Sequence, residues 1–122
     1  MAFENLHKNI LRACAEDHCG LWEVVERVSE LYKDTSLEFI RATCLKILSD
    51  LLDGGYISAG IPTRDGCFDC WDMSVAQTMD RIKREWEQLG RKPSIGDIVW
   101  FSATLGGHRK LLEGKETNTL EE

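Results

Sequence analysis

The sequence predicts an α+β domain, mostly helical, and three observations predict it. Apolar residues step by three and four along four separate stretches, which is the period of a helix face. Two short β-rich runs flank an Asp65-Gly66 turn, and a third stands at residues 98–102. Glycines and serine or threonine caps fall where the period changes.

The first helix is expected over residues 3–16. Phe3, Leu6, Ile10 and Cys14 line its apolar face, with Glu4, Lys8, Arg12 and Glu16 opposite. Gly20 should break it. The second helix is expected from Leu21 to Lys33, with Trp22, Val25, Val28 and Tyr32 on its stripe. Thr35-Ser36-Leu37-Glu38 reads as a capping box for a third helix, Thr35 meeting an early backbone N–H and Glu38 reaching back. Leu37, Ile40, Cys44, Ile47, Leu48, Leu51 and Leu52 form its stripe, and Gly54 and Gly55 end it.

The period then becomes extended. Residues 56–61 are expected as a strand, 62–66 as a turn and 67–72 as the returning strand of a hairpin. Ser74 and Gln77 frame a second capping box. Val75, Met79, Ile82, Trp86 and Leu89 form the stripe of a fourth helix, stopped by Gly90 and Pro93. Residues 98–102 should form a strand on the hairpin's edge, and Gly106-Gly107-His108-Arg109 a loop. The expected core is Leu6, Ile10, Trp22, Val25, Val28, Ile40, Cys44, Ile47, Leu48, Leu51, Ile57, Met79, Ile82 and Trp86.

A chain of 122 residues is one domain. Residues 1–112 are expected as that domain, with a C-terminal extension from about residue 75, and 113–122 as a flexible acidic tail. At 43% hydrophobic and 30% charged residues, the chain is not a disordered, collagen-like or disulfide-dense class. It lacks a run of about 18 apolar residues, so no membrane span is expected. The opening Met1-Ala2-Phe3-Glu4 lacks the pattern of a secretory signal, and five cysteines is an odd number. Reduced thiols and a cytoplasmic location are the expectation. The net charge is −6 and neither half is basic, which disfavours a broad nucleic-acid footprint and suits a basic partner.

Three helices followed by a hairpin resemble a winged helix-turn-helix domain over residues 3–73. The resemblance is carried by Leu21-Trp22-Glu23-Val24-Val25, by Leu51-Leu52-Asp53-Gly54-Gly55-Tyr56-Ile57, and by a wing from Ile61 to Phe68. The fourth helix and last strand extend that fold. The resemblance implies a third helix in the major groove and a wing on the DNA backbone, with Arg41, Lys46 and Arg64 as contacts. It also implies a dimer, for which the fourth helix is the natural element. The charges oppose this use. Glu38, Asp50 and Asp53 share the third helix with its two basic residues, and no Asn or Gln is there to read bases. DNA is therefore disfavoured, though a DNA-binding transcriptional regulator stays as the alternative.

No catalytic pattern occurs, and no enzyme is expected. His7, His18 and His108 are scattered, and no nucleophile elbow or phosphate loop is present. Cys67 and Cys70 have the spacing of a metal or redox pair, and Cys14, His18 and Cys19 could add ligands. On a strand, however, residues three apart point to opposite faces. The cysteines are read as small hydrophobes, Cys44 among them in the core, with no cofactor or metal. Arg81, Lys83, Arg84, Arg91 and Lys92 are read as a solvated face.

The reading that remains is a non-catalytic winged-helix protein acting through protein binding. An acidic inhibitor, such as an immunity protein of a basic toxin or nuclease, fits the charge. Its contacts would be the carboxylates Glu23, Glu26, Glu30 and Asp34, or else Glu38 and Asp53, with Trp71 and Trp100 as aromatic anchors if they share a face. The protein itself would be a monomer or a homodimer.

Overall fold

The computed structural model describes the backbone of residues 5–121 and the side chains of residues 5–113. Phe3 and Glu4, expected in the first helix, lie outside the described residues. The elements are α1 (Asn5–Glu16), β1 (Cys19–Gly20), α2 (Leu21–Leu31), α3 (Leu37–Asp53), β2 (Ile57–Pro62), β3 (Phe68–Cys70), α4 (Val75–Leu89), β4 (Trp100–Ala103) and α5 (Leu105–Glu121). The fold is α+β, as expected. Four antiparallel strands form one sheet in the order β1-β4-β2-β3. Among the described residues, no helix is long and apolar enough to cross a membrane.

The core lies between the sheet's inner face and the helices. Ile57, Ala59 and Phe101 come from the sheet, and Ile10, Leu11, Val24, Val28, Leu48, Leu51 and Ile82 from four helices. Of the expected core only Leu6 and Trp22 are partly exposed. Leu21, Val24, Val25 and Val28 take the inner face of α2. Trp22, about 100° further round the helix, therefore points elsewhere. Its ring covers Gly20, where a Cβ would stand 2.6 Å from the indole and 3.5 Å from the ring of Trp100. Gly20 does not end the first helix, which stops at Glu16: it belongs to a two-residue strand that sequence periodicity cannot register, and it is the N-cap residue of α2.

Caps behave largely as their chemistry dictates. Ser74 and Gln77 make the reciprocal capping box at α4, and Gly90 closes that helix in the left-handed conformation. At α3 the cap falls one residue later than expected. Thr35 turns back and donates its hydroxyl to the Tyr32 carbonyl at 2.7 Å, so Ser36 takes the cap and accepts from Phe39 N at 3.1 Å. Phe39 then stands where Glu38 was expected to reciprocate, and the box is absent. Gly54 stays right-handed (φ −73°) and Gly55 takes the left-handed turn (φ 73°).

The hairpin forms in the expected place, with a shorter return strand. The last strand is shifted to Trp100–Ala103 and inserts between β1 and β2. Residues 98–99 are excluded because Val99 N donates to the Asp97 carbonyl at 2.9 Å, closing a three-residue turn over Ile98. Ile98 has φ 68°, an uncommon state for a β-branched residue.

The expected loop at 106–109 is instead the start of α5. Thr104 caps it, its hydroxyl accepting from Gly107 N at 3.0 Å. The two glycines are there for closeness. A Cβ on Gly107 would stand 2.2 Å from the Tyr56 carbonyl oxygen, and one on Gly106 3.2 Å from that of Gly55. The helix continues to Glu121, through most of the stretch expected as a tail.

Candidate functional site

The four carboxylates expected to face a partner divide into one plus three. Glu23 is drawn toward the protein. It accepts from the Cys19 thiol at 3.4 Å and pairs with Arg27 at 3.5 Å. Glu26, Glu30 and Asp34 are exposed and make no ion pair among the described residues. Glu26 and Glu30 are four apart on α2, one turn of the helix, so their charges add on one side.

The two expected tryptophan anchors do not share a face. Trp100 pairs with Gly20 and Gly60, and Gly60 pairs with Cys70. Trp71, one residue past Cys70, therefore turns to the other side of the sheet. There its ring lies 3.8 Å from the Arg81 guanidinium, which also donates to Glu85 at 2.6 Å. Both tryptophans are half-buried. Of the remaining basic cluster, Arg91 is held by Asp97 at 2.9 Å, while Lys83 and Arg84 are exposed.

The three basic residues assigned to DNA are also dispersed. Arg41 is half-buried, donates to the Lys83 carbonyl at 3.3 Å and lies 5.7 Å from the Trp86 ring centroid, so it ties α3 to α4. Lys46 is five positions on, about 140° round the helix, on the side of α1. Its ammonium is 3.5 Å from Asp50. Arg64 is exposed in the hairpin turn beside Asp65. The Asp65 carboxyl is held below its usual range by the Thr63 hydroxyl and the Cys67 backbone.

An apolar ridge stands on the surface, and two of its residues, Tyr32 and Leu37, fall on stripes expected from helical period. Leu31 and Leu37 are 64% and 74% exposed, and Tyr32 and Phe39 stand with them on the surface. Tyr32 and Phe39 meet edge to face, centroids 5.2 Å apart. Leu31 ends α2, Tyr32 follows it, and Leu37 and Phe39 lie in the first turn of α3. Leu37 is on the apolar stripe by period, seven residues before Cys44, but it protrudes beyond the body that α2 and α4 provide. The legible signal was crowding: four large apolar residues within nine positions, interrupted only by a turn.

A cleft flanks this ridge on each side. Between α3 and α4 a space of about 280 Å³ is lined by Val25, Leu37, Ile40, Arg41 and Trp86. Between α1 and α3 a space of about 310 Å³ is lined by Tyr32, Phe39, Ile47, His7, Lys46 and Asp50. His7 is buried in the second cleft and bonds through Nε2 to Asp50 Oδ2 at 2.8 Å. This pairing across 43 residues left no mark in the sequence.

The thiols remain apart from these clefts. Cys14, Cys19 and Cys44 are buried, and Cys67 and Cys70 are exposed on the hairpin. A hydrogen bond with Cys14, then burial, then the neighbouring Glu23 charge push the Cys19 thiol up. Burial pushes the Cys44 thiol up to about 12. Among the described residues, no three His, Cys, Asp or Glu side chains gather as a set that could hold a metal ion. Compared with known proteins, the chain matches no family model, no curated protein and no solved structure.

Proposed function

We propose that this is a non-catalytic, winged-helix-like protein that acts by binding another protein. The carrying observation is the exposed ridge of Leu31, Tyr32, Leu37 and Phe39. Exposed apolar side chains massed in one place are costly in water and mark contact surfaces. Aromatic residues supply much of the energy at such surfaces. The carboxylates Glu30, Asp34 and Glu38 border the ridge and carry no ion pair among the described residues, which favours a basic partner. A cytoplasmic inhibitor or immunity protein directed at a basic toxin or nuclease is the class that suits this combination. The winged-helix reading is supported by the order α1-α2-α3 followed by the β2–β3 hairpin.

Regulation through DNA is the weaker reading because Arg41 is engaged with α4 and Lys46 faces another side. Capture from nuclease-treated lysate with wild type and with Leu37→Asp/Phe39→Asp tests the choice. A partner held by wild type and released by the variant is the expected result. Salt-sensitive binding to a random duplex in fluorescence anisotropy, with no partner captured, would overturn the reading.

A further inference from the structure

The β2–β3 ladder ends where Trp71 N donates to the Ala59 carbonyl at 2.9 Å. Beyond that bond the two chains part. The register that pairs Gly60 with Cys70 would bring Met73 opposite Ile57. Met73 instead turns toward the Ser74 cap of α4, and no backbone bond joins it to Ile57. Ile57 faces this gap. The Tyr56 carbonyl accepts from Thr104 N on the β4 side, and the Ala59 carbonyl accepts on the β3 side. Directions alternate along an antiparallel strand, so the N–H and C=O of Ile57 point to where β3 would have continued.

The gap is a cavity of about 170 Å³, walled by Ile57, Leu52, Trp71, Val75 and Thr78. Thr78 is only 4% exposed, yet its hydroxyl makes no hydrogen bond among the described residues. Thr43 on α3 returns its hydroxyl to the carbonyl four residues back, at 2.8 Å, and Thr78 makes no such bond. A donor, an acceptor and a hydroxyl, all on buried residues, thus share a space roughly 7 Å across. None of the residues lining it is charged.

We infer that this cavity binds a small, uncharged aromatic amide, its amide edge paired with the Ile57 backbone in place of the absent strand. The Thr78 hydroxyl makes the amide's third bond, and the ring lies among Trp71, Val75 and Leu52. An amide carries a donor and an acceptor side by side, as a neighbouring strand does. A charged ligand would lose its water and find no counter-charge. A purely apolar one would leave the Ile57 and Thr78 groups dry, at the cost of each unmade hydrogen bond. Size sets the upper limit: a cavity of about 150 Å³ takes one benzene ring, so one ring with one amide fills this one. The cavity shares no residue with the ridge of Leu31, Tyr32, Leu37 and Phe39, so it stands or falls apart from the protein-contact reading.

The test is a two-dimensional NMR titration with benzamide, acetophenone and benzoate. Acetophenone keeps the shape of benzamide without its donor, and benzoate adds a charge. Saturable shifts at Ile57, Trp71 and Thr78 are expected with benzamide, and binding at least tenfold weaker with the other two. Thr78→Val keeps the side-chain volume and removes the hydroxyl. It should leave the fold intact and weaken benzamide by up to about tenfold, the worth of one neutral hydrogen bond. The absence of a saturable shift with benzamide would leave the cavity to water and overturn the inference. Equal affinity for acetophenone would remove the amide pairing. Benzamide affinity unchanged in Thr78→Val would put the probe outside this cavity and overturn the site.

Discussion

The imidazole of His18 lies against the ring of Phe68, centroids 4.9 Å apart. His18 enters β1 and Phe68 begins β3, and these are the two edge strands of the sheet. The edges of a flat four-stranded sheet stand about three strand spacings apart, roughly 14 Å. The sheet must therefore coil until its outer face is partly closed. Gly60 is where it bends. It pairs with Trp100 on one side and Cys70 on the other. A Cβ there would stand 2.2 Å from the Asp69 carbonyl oxygen and 2.9 Å from the Cys70 Cα. The hairpin crosses residue 60 only because nothing projects from it.

Gly60→Ala should therefore unfold more easily. The clash is with backbone, which cannot rotate away, so the cost should reach or exceed the roughly 1–3 kcal/mol typical of overpacking. Urea denaturation measures it. The same variant should lose the ring-current shift of the His18 imidazole protons, because the hairpin can no longer fold over the sheet. A stable variant that keeps that shift would show that the bend does not depend on residue 60. Gly66→Ala is the control. It has open space around it and only a left-handed backbone (φ 84°), worth about 1–2 kcal/mol, and it should leave the His18 signal in place.

Two leucines of the α3 stripe, Leu48 and Leu37, should respond very differently to mutation. Leu48 is fully buried, and Leu48→Ala should cost about 2–5 kcal/mol through lost contact and an unfilled cavity. Leu37 is mostly exposed, and Leu37→Asp should change stability by no more than about 0.5 kcal/mol. Denaturation midpoints decide it. A large loss on Leu37→Asp would mean that the ridge packs inside the fold, and its use as a contact surface would fall with it.

That contrast also marks how far the sequence could be read. The four amphipathic stripes, the hairpin and the Ser74 box each have a local cause: a period, a turn pair, a reciprocal cap. Each was legible for that reason. What escaped reading has a distant cause. β1 is two residues long and exists because β4 arrives beside it. Gly106 and Gly107 looked like breakers, yet they serve the approach of α5 to residues 55 and 56, far back along the chain. Periodicity assigns Leu37 to the core, and only the ends of α2 and α4 leave it bare. The candidate site suffered most. His7 and Asp50 are unremarkable in sequence, and their pairing comes from the packing of α1 on α3.

The cysteines should divide into two reactivity classes. Cys67 and Cys70 are exposed, while Cys14, Cys19 and Cys44 are buried. Alkylation of the native protein should label the hairpin pair first and leave the others unlabelled. Denaturation should then open all five. Intact-mass spectrometry and peptide mapping read both stages. Rapid native labelling of Cys14 or Cys19 would mean that the α1–β1 junction opens readily.

Alkaline pH should weaken the fold partly through Cys44, and the sign follows from proton counting. The thiol sits at about 12 in the folded protein. It returns to its ordinary value of about 8.5 on unfolding. Between these values the unfolded chain releases a proton that the folded chain keeps. Stability from this residue is therefore complete below about 8.5 and is lost as pH rises toward 12, at up to about 1.4 kcal/mol per pH unit. Other groups also titrate there, but they are common to wild type and Cys44→Ala. The difference between the two proteins isolates Cys44. Urea midpoints at neutral pH and at steps above it should show the wild-type advantage shrinking once pH passes the ordinary thiol value. A constant advantage across that range would mean that Cys44 ionises in the folded protein as easily as in the unfolded one, and that its burial is breached by water.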